Sequence, residues 1–229
     1  MLKIYGVPIS VHTRKVIVAA RIKGMPFELV PVVPVIPGNP PPHWRQLSPT
    51  GKIPVLQDGD FTLPDSAAIC AYLERQRPQP SLYPSDARAH AHALWLEQYG
   101  GGTVFHDIVH PLFHETFVHP KVKNIATDHA RVKAVLDSTV PEVFGYLDSQ
   151  SGNDYLAGSS LSVADIAVAS NLVTMQYIGF ALERARYPKL AALFDRVIRH
   201  RAFVGALHAE QPVVQQMALK SDFLNAVLA

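Results

Sequence analysis

Hydrophobic and polar positions follow two different periods along the chain, and the first part reads as mixed α/β. Short apolar runs suited to strands occur at LKIY (2–5), FELVPVV (27–33), IPVLQ (53–57) and FTL (61–63). Residues 10–24 carry a helical apolar stripe, with Gly24 placed to end the helix, and 64–78 contain a second helix that ends at Pro78. Strand, helix, strand predicts a parallel βαβ unit, and DGD between the last two runs predicts a hairpin.

From residue 86 onward no strand pattern is found, and the sequence predicts only helices. Helices are predicted at 86–118, 122–148, 162–180, 188–199 and 201–208, with breaks at Pro120, SGND (151–154) and Tyr187-Pro188. VADIAVASNLV (163–173) is apolar around most of its circumference, which is typical of a central, buried helix. The proline-rich RPQPSLYPSDA (77–87) indicates a linker. We therefore predict a small α/β domain at 1–77 and an all-helical domain at 86–229.

Composition and charge narrow the class of protein. The formal net charge is only +2, so nothing favours nucleic acid or an anionic membrane as the main partner. One cysteine excludes an internal disulfide and fits a reducing compartment. MLKIYGVP lacks the pattern of a signal peptide, and no apolar run approaches the roughly 20 residues of a membrane span. A soluble, cytoplasmic protein is expected.

VPISVHTRKVIVAA (7–20) places Ser10 at the start of the first helix. A serine there caps the helix by accepting a backbone hydrogen bond. The same hydroxyl, at the positive end of the helix dipole, could instead bind an anionic ligand atom. Spacing alone leaves both interpretations open.

Two other turns can likewise be interpreted either as structural or as ligand-binding. Pro54 is either a trans proline at a strand start or part of a cis Ile53–Pro54 bond, which would turn the backbone of Ile53 towards a ligand. Asp65 and Ser66 precede a helical run, so they either cap it or hold a ligand. In the second case Ser66 would bind a carboxylate and Asp65 an ammonium group.

Three histidines of the second part repeat at every fourth position: His106, His110 and His114. This spacing could bring two imidazoles to a metal ion. No acidic partner of the HExxH type is present, however, and Pro111 is expected to interrupt the segment. An aromatic stripe that includes Phe113 and Phe117 and faces a cleft is therefore favoured, and no metal is expected.

Two further features are interpreted as structural. Cys70 lies among apolar residues of a predicted helix, which favours packing over disulfide chemistry. Ser162 and Asp165 form a serine and aspartate variant of the capping box at the start of the buried helix. Loss of that box should affect folding more than chemistry.

Taken together, these segments resemble the glutathione S-transferase family. KIYGVPISVHTRKV, SPTGKIPVLQDGD, the LPDSAAICAYL helix, the proline-rich linker and GSSLSVADIAVAS occur in the family's order and cover most of the chain. The resemblance implies an α/β thioredoxin-like N-terminal domain followed by an all-α C-terminal domain. The first segment is most similar to the plant phi class and related bacterial enzymes, which carry a serine at this turn.

The resemblance also implies roles for individual residues. Ser10 would donate its hydroxyl to the sulfur of glutathione, the expected co-substrate. The positions that match the family's glutathione-binding residues are Lys52, Ile53, Pro54, Asp65 and Ser66. In this set the residue before the cis proline pairs with the cysteinyl backbone, and the last two residues hold the γ-glutamyl end.

The chain departs from the family pattern in three places. Tyr5 ends the first strand, near the position where other classes use a catalytic tyrosine. His12, two residues after the serine, could tune the thiol or contact a ligand. PGNPPPHWRQL does not match the basic residues that hold the glycyl carboxylate in phi enzymes, which leaves His43 or Arg45 for that role.

The resulting prediction is a glutathione transferase that adds the thiol to a hydrophobic electrophile, acting in detoxification as a homodimer. Candidate residues for the second-substrate site are His12, His106, His110 and Phe113. One alternative is a glutathione-dependent isomerase or peroxidase, although zeta-type isomerases carry Ser-Ser-Cys where this chain has PISVHT. Another alternative is a non-catalytic glutathione-binding protein.

Overall fold

The computed structural model describes residues 1–36, 38–152 and 154–228. Pro37 of the proline-rich loop and Asn153 of the SGND break lie outside the described residues. Four strands form one mixed sheet in the order β2-β1-β3-β4. Their bounds are β1 Leu2–Gly6, β2 Phe27–Pro31, β3 Val55–Asp58 and β4 Phe61–Pro64. The parallel β1–β2 pair and the β3–β4 hairpin confirm the predicted βαβ unit and hairpin.

Helices cover the sheet because its strands present buried apolar side chains to them. Within this unit the helices are α1 Val11–Ile22, α2 Trp44–Leu47 and α3 Ser66–Gln76. Ile4 and Leu56 are fully buried in the main core. Alternation along β1 places Tyr5 on the other face, in a small cluster with Trp44 and Val55. Gly24 has φ +59° directly after α1, which confirms it as the residue that ends the helix.

The rest of the chain is helical, with α-helices that alternate with wider π-helical turns. The α-helices are α4 Ala87–Tyr99, α5 His110–Phe113, α6 His129–Ala134, α7 Val140–Gln150, α8 Val163–Tyr177, α9 Pro188–Ile198, α10 Arg201–Gln216 and α11 Asn225–Leu228. The π-helical turns are Gly100–Val109, His114–Lys123 and Val135–Thr139, and Asp222–Leu224 is a 3₁₀ turn. Helix α8 is the buried central helix, as predicted. Among the described residues, no helix is both long and apolar enough to cross a membrane.

The predicted break at Pro120 and the predicted interruption at Pro111 are wrong. Helical structure continues from α4 through both prolines to Lys123. Pro120 cannot donate to the carbonyl of Glu115 five residues earlier in a π-helical turn, but the Thr127 hydroxyl donates to that carbonyl at 2.8 Å. Other helix ends shift as well. The helix predicted to start at 122 begins at His129, after the Asp128 cap, α10 extends to Gln216, and 222–228 form helical turns that the pattern did not predict.

The buried start of α8 holds the predicted capping pair. The Asp165 carboxylate accepts hydrogen bonds from the Ser162 N–H at 2.8 Å and the Ser162 hydroxyl at 2.6 Å. It also accepts from the N–H of Leu156 at 2.8 Å. Burial raises the pKa of Asp165 even though these bonds oppose the shift. The three bonds tie the start of the central helix to the preceding loop.

Two buried ion pairs join α1 to the helical region. Arg14 lies 2.6 Å from Glu210 of α10, and Lys15 lies 2.8 Å from Glu97 of α4. All four side chains are almost fully buried. Sequence analysis missed these pairs, although the TRK triplet inside an otherwise apolar helix is the signal that could have indicated them. They fix the helix that carries Ser10 against the second part of the chain.

Candidate functional site

Ser10 occupies the N-cap of α1, where the helix leaves unbonded backbone N–H groups. Its backbone is extended, at φ −67° and ψ 129°, and its Oγ lies 3.5 Å from the N of Thr13. This capping hydrogen bond is long, and in it Oγ of Ser10 acts only as an acceptor. The hydroxyl proton is therefore free to be donated to a ligand. No acidic side chain occupies the first turn, so nothing on the helix itself offsets its positive end.

The turn before β3 lies at the edge of the same region. The Ile53–Pro54 peptide bond is cis, as the resemblance implies. The last residue pair between β1 and β3 is Tyr5 with Val55, so Ile53 lies just outside the ladder. Among the described residues, neither the N–H nor the C=O of Ile53 has a hydrogen-bond partner. A peptide-like ligand could therefore pair with this backbone as an added strand.

The start of α3 carries both the cap and a free oxygen. Asp65 is exposed, has φ +77°, and accepts hydrogen bonds from the N–H groups of Ala67 and Ala68 at 2.8 and 3.1 Å. Both bonds go to Oδ1, which leaves Oδ2 without a partner in the described part of the chain. Ser66 is 6% exposed. Capping and ligand binding are thus compatible at this turn, because separate oxygen atoms can serve them.

His12 bridges the start of α3 and the helical region. Its Nδ1 lies 3.5 Å from Oγ of Ser66, and its ring meets Phe105 edge-on at a centroid distance of 4.5 Å. Burial, followed by the charge of Lys15, lowers the pKa of His12 from 6.5 to about 4. At neutral pH the imidazole is therefore uncharged, with one nitrogen able to donate and the other able to accept.

Tyr5 uses its hydroxyl elsewhere. The Tyr5 O–H donates to Oε1 of Gln57 at 2.6 Å, and its ring lies 6.2 Å from the ring of Trp44. The Tyr5 hydroxyl proton is already donated to Gln57, so it is not available for donation to a ligand sulfur. Cys70 is fully buried, and burial raises the pKa of its thiol to about 12, in agreement with a packing role.

Three basic side chains lie on the loop before β3: His43 and Arg45, which were predicted for the glycyl carboxylate, and Lys52, which was predicted to contact glutathione without an assignment to that end. Lys52, His43 and Arg45 are all exposed. Arg45 folds over its own loop, donating to the carbonyl of Pro49 at 3.0 Å. Among the described residues, the ammonium group of Lys52 forms no ion pair. Lys52 is therefore the cation of this loop most available to an anionic ligand.

Aromatic rings continue from His12 along the long helix that starts with α4. Centroid distances are 5.6 Å for Phe105–His110, 4.2 Å for His110–His114 and 5.9 Å for His114–His119. Among the described residues, Phe113 pairs only with the ring of Phe117, on which it stacks at 5.3 Å. The ring of His106 lies 5.2 Å from that of Phe105. We call the series His12, Phe105, His110 and His114 the aromatic row.

The histidines of the aromatic row are held in their neutral form. Burial, followed by the neighbouring His114 and His106, lowers the pKa of His110. Burial also lowers the pKa of His114, with Lys123 and His119 adding to the shift. In the described residues, no group of three or more His, Cys, Asp or Glu side chains is arranged to hold a metal ion.

Comparisons with known proteins match both parts of the chain. Family models described as "Glutathione S-transferase, N-terminal domain" and "Glutathione S-transferase, C-terminal domain" match residues 4–81 and 106–202. Glutathione S-transferase 3 of Zea mays is 32% identical over 166 residues, which are 72% of this chain and 73% of that protein.

Two further similarities cover nearly the whole length. Maleylacetoacetate isomerase of Pseudomonas aeruginosa is 27% identical over 215 residues, 92% of this chain and 98% of that protein. The crystal structure of a glutathione S-transferase from Rhodospirillum rubrum F11 superposes with a TM-score of 0.80 at 27% identity, covering 90% of this chain and 92% of that one. This chain belongs to the glutathione S-transferase family, and it is a glutathione transferase with the predicted thioredoxin-like and helical fold.

Proposed function

We propose that the protein conjugates the thiol of glutathione to a hydrophobic electrophile, and that Ser10 stabilises the thiolate. The observation that carries the proposal is the hydroxyl of Ser10, half-buried at the start of α1 with its proton uncommitted. In this proposal residues 1–77 bind glutathione and residues 86–229 supply the electrophile site.

The physical requirement on Ser10 is modest. A thiol with a pKa of roughly 8.5 is mostly protonated at neutral pH, whereas the thiolate is the nucleophile. Lowering that pKa by two units requires about 2.7 kcal/mol of preferential stabilisation of the anion. One charge-assisted hydrogen bond together with the positive end of α1 supplies energy of that order.

The rest of the glutathione molecule would be held by three other features of this part of the chain. The unpaired backbone of Ile53, before Pro54, would bind the cysteinyl unit as an added strand. Ser66 would bind the γ-glutamyl carboxylate and Oδ2 of Asp65 its ammonium group. Lys52 is the candidate for the opposite, glycyl end.

The aromatic row would form the electrophile site, because it begins at His12 beside Ser66 and continues along the long helix. Its rings are uncharged at neutral pH, so they suit a planar, apolar molecule. Of the residues predicted for this site, His12 and His110 belong to the row. His106 flanks it, while Phe113 stacks on Phe117 instead.

An isomerase is the second candidate, since maleylacetoacetate isomerase of P. aeruginosa is among the relatives. The segment PISVHT has no cysteine, and the chain's single cysteine is buried in α3. Conjugation therefore remains the favoured reaction, with isomerase or peroxidase chemistry and binding without turnover as its alternatives.

We also propose that the protein acts as a cytoplasmic homodimer in detoxification, as family members usually do. Phe61, the first residue of β4, and Trp95 on α4 are 44% and 51% exposed, so each part of the chain offers one exposed aromatic side chain to a second copy.

The decisive experiment is an ultraviolet pH titration of glutathione bound to the wild type, Ser10→Ala and Tyr5→Phe. We expect a thiolate band well below the pKa of the free thiol, lost only in Ser10→Ala. Loss in Tyr5→Phe alone would move the donor to Tyr5 and leave the reaction unchanged. A wild type that binds glutathione without a thiolate band would support the non-catalytic alternative, and no binding would contradict the proposal.

A further inference from the structure

The contact between His12 and Ser66 brings together two turns of the candidate site. Nδ1 of His12 lies 3.5 Å from Oγ of Ser66. The other ring nitrogen, Nε2, forms no hydrogen bond in the described part of the chain and is not sealed from solvent. The ring is held from the helical region, because Phe105 meets it edge-on at 4.5 Å and a Cβ atom on Gly101 would lie 3.7 Å from its Cε1. The long helix therefore sets how the imidazole faces Ser66.

Ser66 has two groups that could donate to a ligand carboxylate. Its backbone N–H, at the first position of α3, has no hydrogen-bond partner among the described residues. Its hydroxyl can donate as well, but only if the proton is not already given to His12. A hydroxyl that accepts a bond from His12 keeps its own proton for a ligand, whereas a hydroxyl that donates to His12 does not. The second donor of Ser66 thus depends on which of the two atoms, Nδ1 or Oγ, carries the shared hydrogen.

Charge and burial limit what His12 can supply. Burial, followed by the charge of Lys15, lowers the pKa of His12 to about 4, so the ring is neutral at neutral pH and carries one N–H. That hydrogen is either on Nδ1, which faces Ser66, or on Nε2, which solvent can reach. With the hydrogen on Nε2, Nδ1 takes the Ser66 proton and turns it away from a ligand. With the hydrogen on Nδ1, the ring donates to Oγ and strengthens the bond that the Ser66 hydroxyl donates onward.

We propose that His12 is a positioning residue for glutathione: its Nδ1–H donates to Oγ of Ser66 and so directs the Ser66 hydroxyl to the γ-glutamyl carboxylate. This inference rests on the proposed function, in which Ser66 binds that carboxylate. It makes glutathione binding by residues 1–77 depend on one neutral ring that the helical region holds in place.

A double-mutant cycle tests the coupling, with the Kd of glutathione measured by calorimetry and no electrophile present. His12→Phe keeps an aromatic ring beside Phe105 and removes both nitrogens, so glutathione should bind about tenfold more weakly. In a Ser66→Ala background the same change should alter the Kd by less than about twofold. His12→Asn is the matched control, because its amide nitrogen can take the place of Nδ1, and its Kd should stay within about threefold of the wild-type value. Equal losses in the two backgrounds, or a His12→Asn variant as weak as His12→Phe, would overturn the proposal.

The position of the hydrogen can also be observed directly. NMR spectroscopy of the nitrogen-labelled wild type with saturating glutathione distinguishes a protonated from an unprotonated Nδ1 by its chemical shift. We expect the Nδ1–H form, and the Nε2–H form would overturn the proposal. A wild type that bound no glutathione would overturn the proposed function as well, whereas wild-type binding that His12→Phe left unchanged would overturn this inference alone.

Discussion

Two consecutive turns of α1 differ in how completely their polar groups are bonded. At the first turn, Ser10 has one long bond and His12 one marginal contact. At the next turn, the guanidinium of Arg14 donates five hydrogen bonds, at 2.6–3.2 Å, to partners that include Glu210, Ser170 and the carbonyl of Ile9. The saturated turn holds the unsaturated one in place, and the unsaturated turn leaves its polar groups available to a ligand.

The largest expected effect comes from breaking the saturated turn. Arg14→Met leaves the buried Glu210 carboxylate without its cation, bonded only to the Tyr177 hydroxyl at 2.8 Å, which should lower the free energy of unfolding by about 3–5 kcal/mol. Urea denaturation measures the loss. The matched control is Arg184→Met, which breaks an exposed pair with Asp195 and should cost less than about 1 kcal/mol.

A second variant separates charge burial from lost packing in that experiment. Arg14→Met combined with Glu210→Leu replaces the whole pair by apolar groups and should recover much of the stability. If the double variant were as unstable as Arg14→Met, the isolated carboxylate would not be the cause.

The next effect is the acid sensitivity of the first turn. The pKa of His12 is lowered from 6.5 to about 4 in the folded protein, so folding favours the neutral ring. The folded state therefore loses stability as pH falls from 6.5 towards 4, by up to about 3 kcal/mol from this group. His12→Asn should remove that part of the pH dependence, as measured by urea unfolding at pH 7 and 4.5. His208→Asn, at an exposed histidine, should leave the dependence unchanged.

Ser10→Ala should change chemistry more than stability. The cap at 3.5 Å is weak, so we expect unfolding to change by no more than about 1 kcal/mol. A return of the thiol pKa from about 6.5 to about 8.5 lowers the thiolate fraction at pH 6.5 from about one half to about 1%, so kcat/KM with 1-chloro-2,4-dinitrobenzene should fall roughly 50-fold. A variant that retained wild-type kcat/KM would place thiolate stabilisation elsewhere.

The smallest expected effect comes from a variant that distinguishes the capping role of Asp65 from its proposed role in ligand binding. Asn is also a good cap and tolerates positive φ, so Asp65→Asn should leave stability within about 0.5 kcal/mol. It loses the charge that would pair with the ammonium group of glutathione, so the Kd should rise about tenfold by calorimetry. Glutathione lacking that amino group should bind both proteins equally. Unequal affinities would show that the side chain acts in another way.

Local periodicity was enough to predict the strands, the βαβ unit and the buried α8, because burial of one face imposes a regular spacing on the sequence. It failed at Pro120, where the hydroxyl of Thr127 satisfies a carbonyl through a contact that no local rule describes. It also failed for the Arg14–Glu210 pair, whose members are 196 positions apart.

The candidate site shows the same limit. The turns that carry Ser10, Ile53 and Asp65 could be identified from spacing and resemblance. The sequence could not show which groups of these turns are free to bind a ligand. Whether the Ser10 hydroxyl proton or Oδ2 of Asp65 has a partner depends on every neighbour in space. The bond from Tyr5 to Gln57 connects two strands and was equally invisible in the sequence.

The anchoring of α1 through Arg14 has an evolutionary consequence. Because the helix is held from its second turn, the residue at position 10 contributes little to folding and is free to mutate. Under the role proposed for Ser10, a lineage can therefore exchange serine for another thiol-activating residue, or lose activation altogether, without first acquiring a compensating change in the scaffold. One scaffold can in this way give rise to transferases, isomerases and binding proteins through substitutions at a single turn.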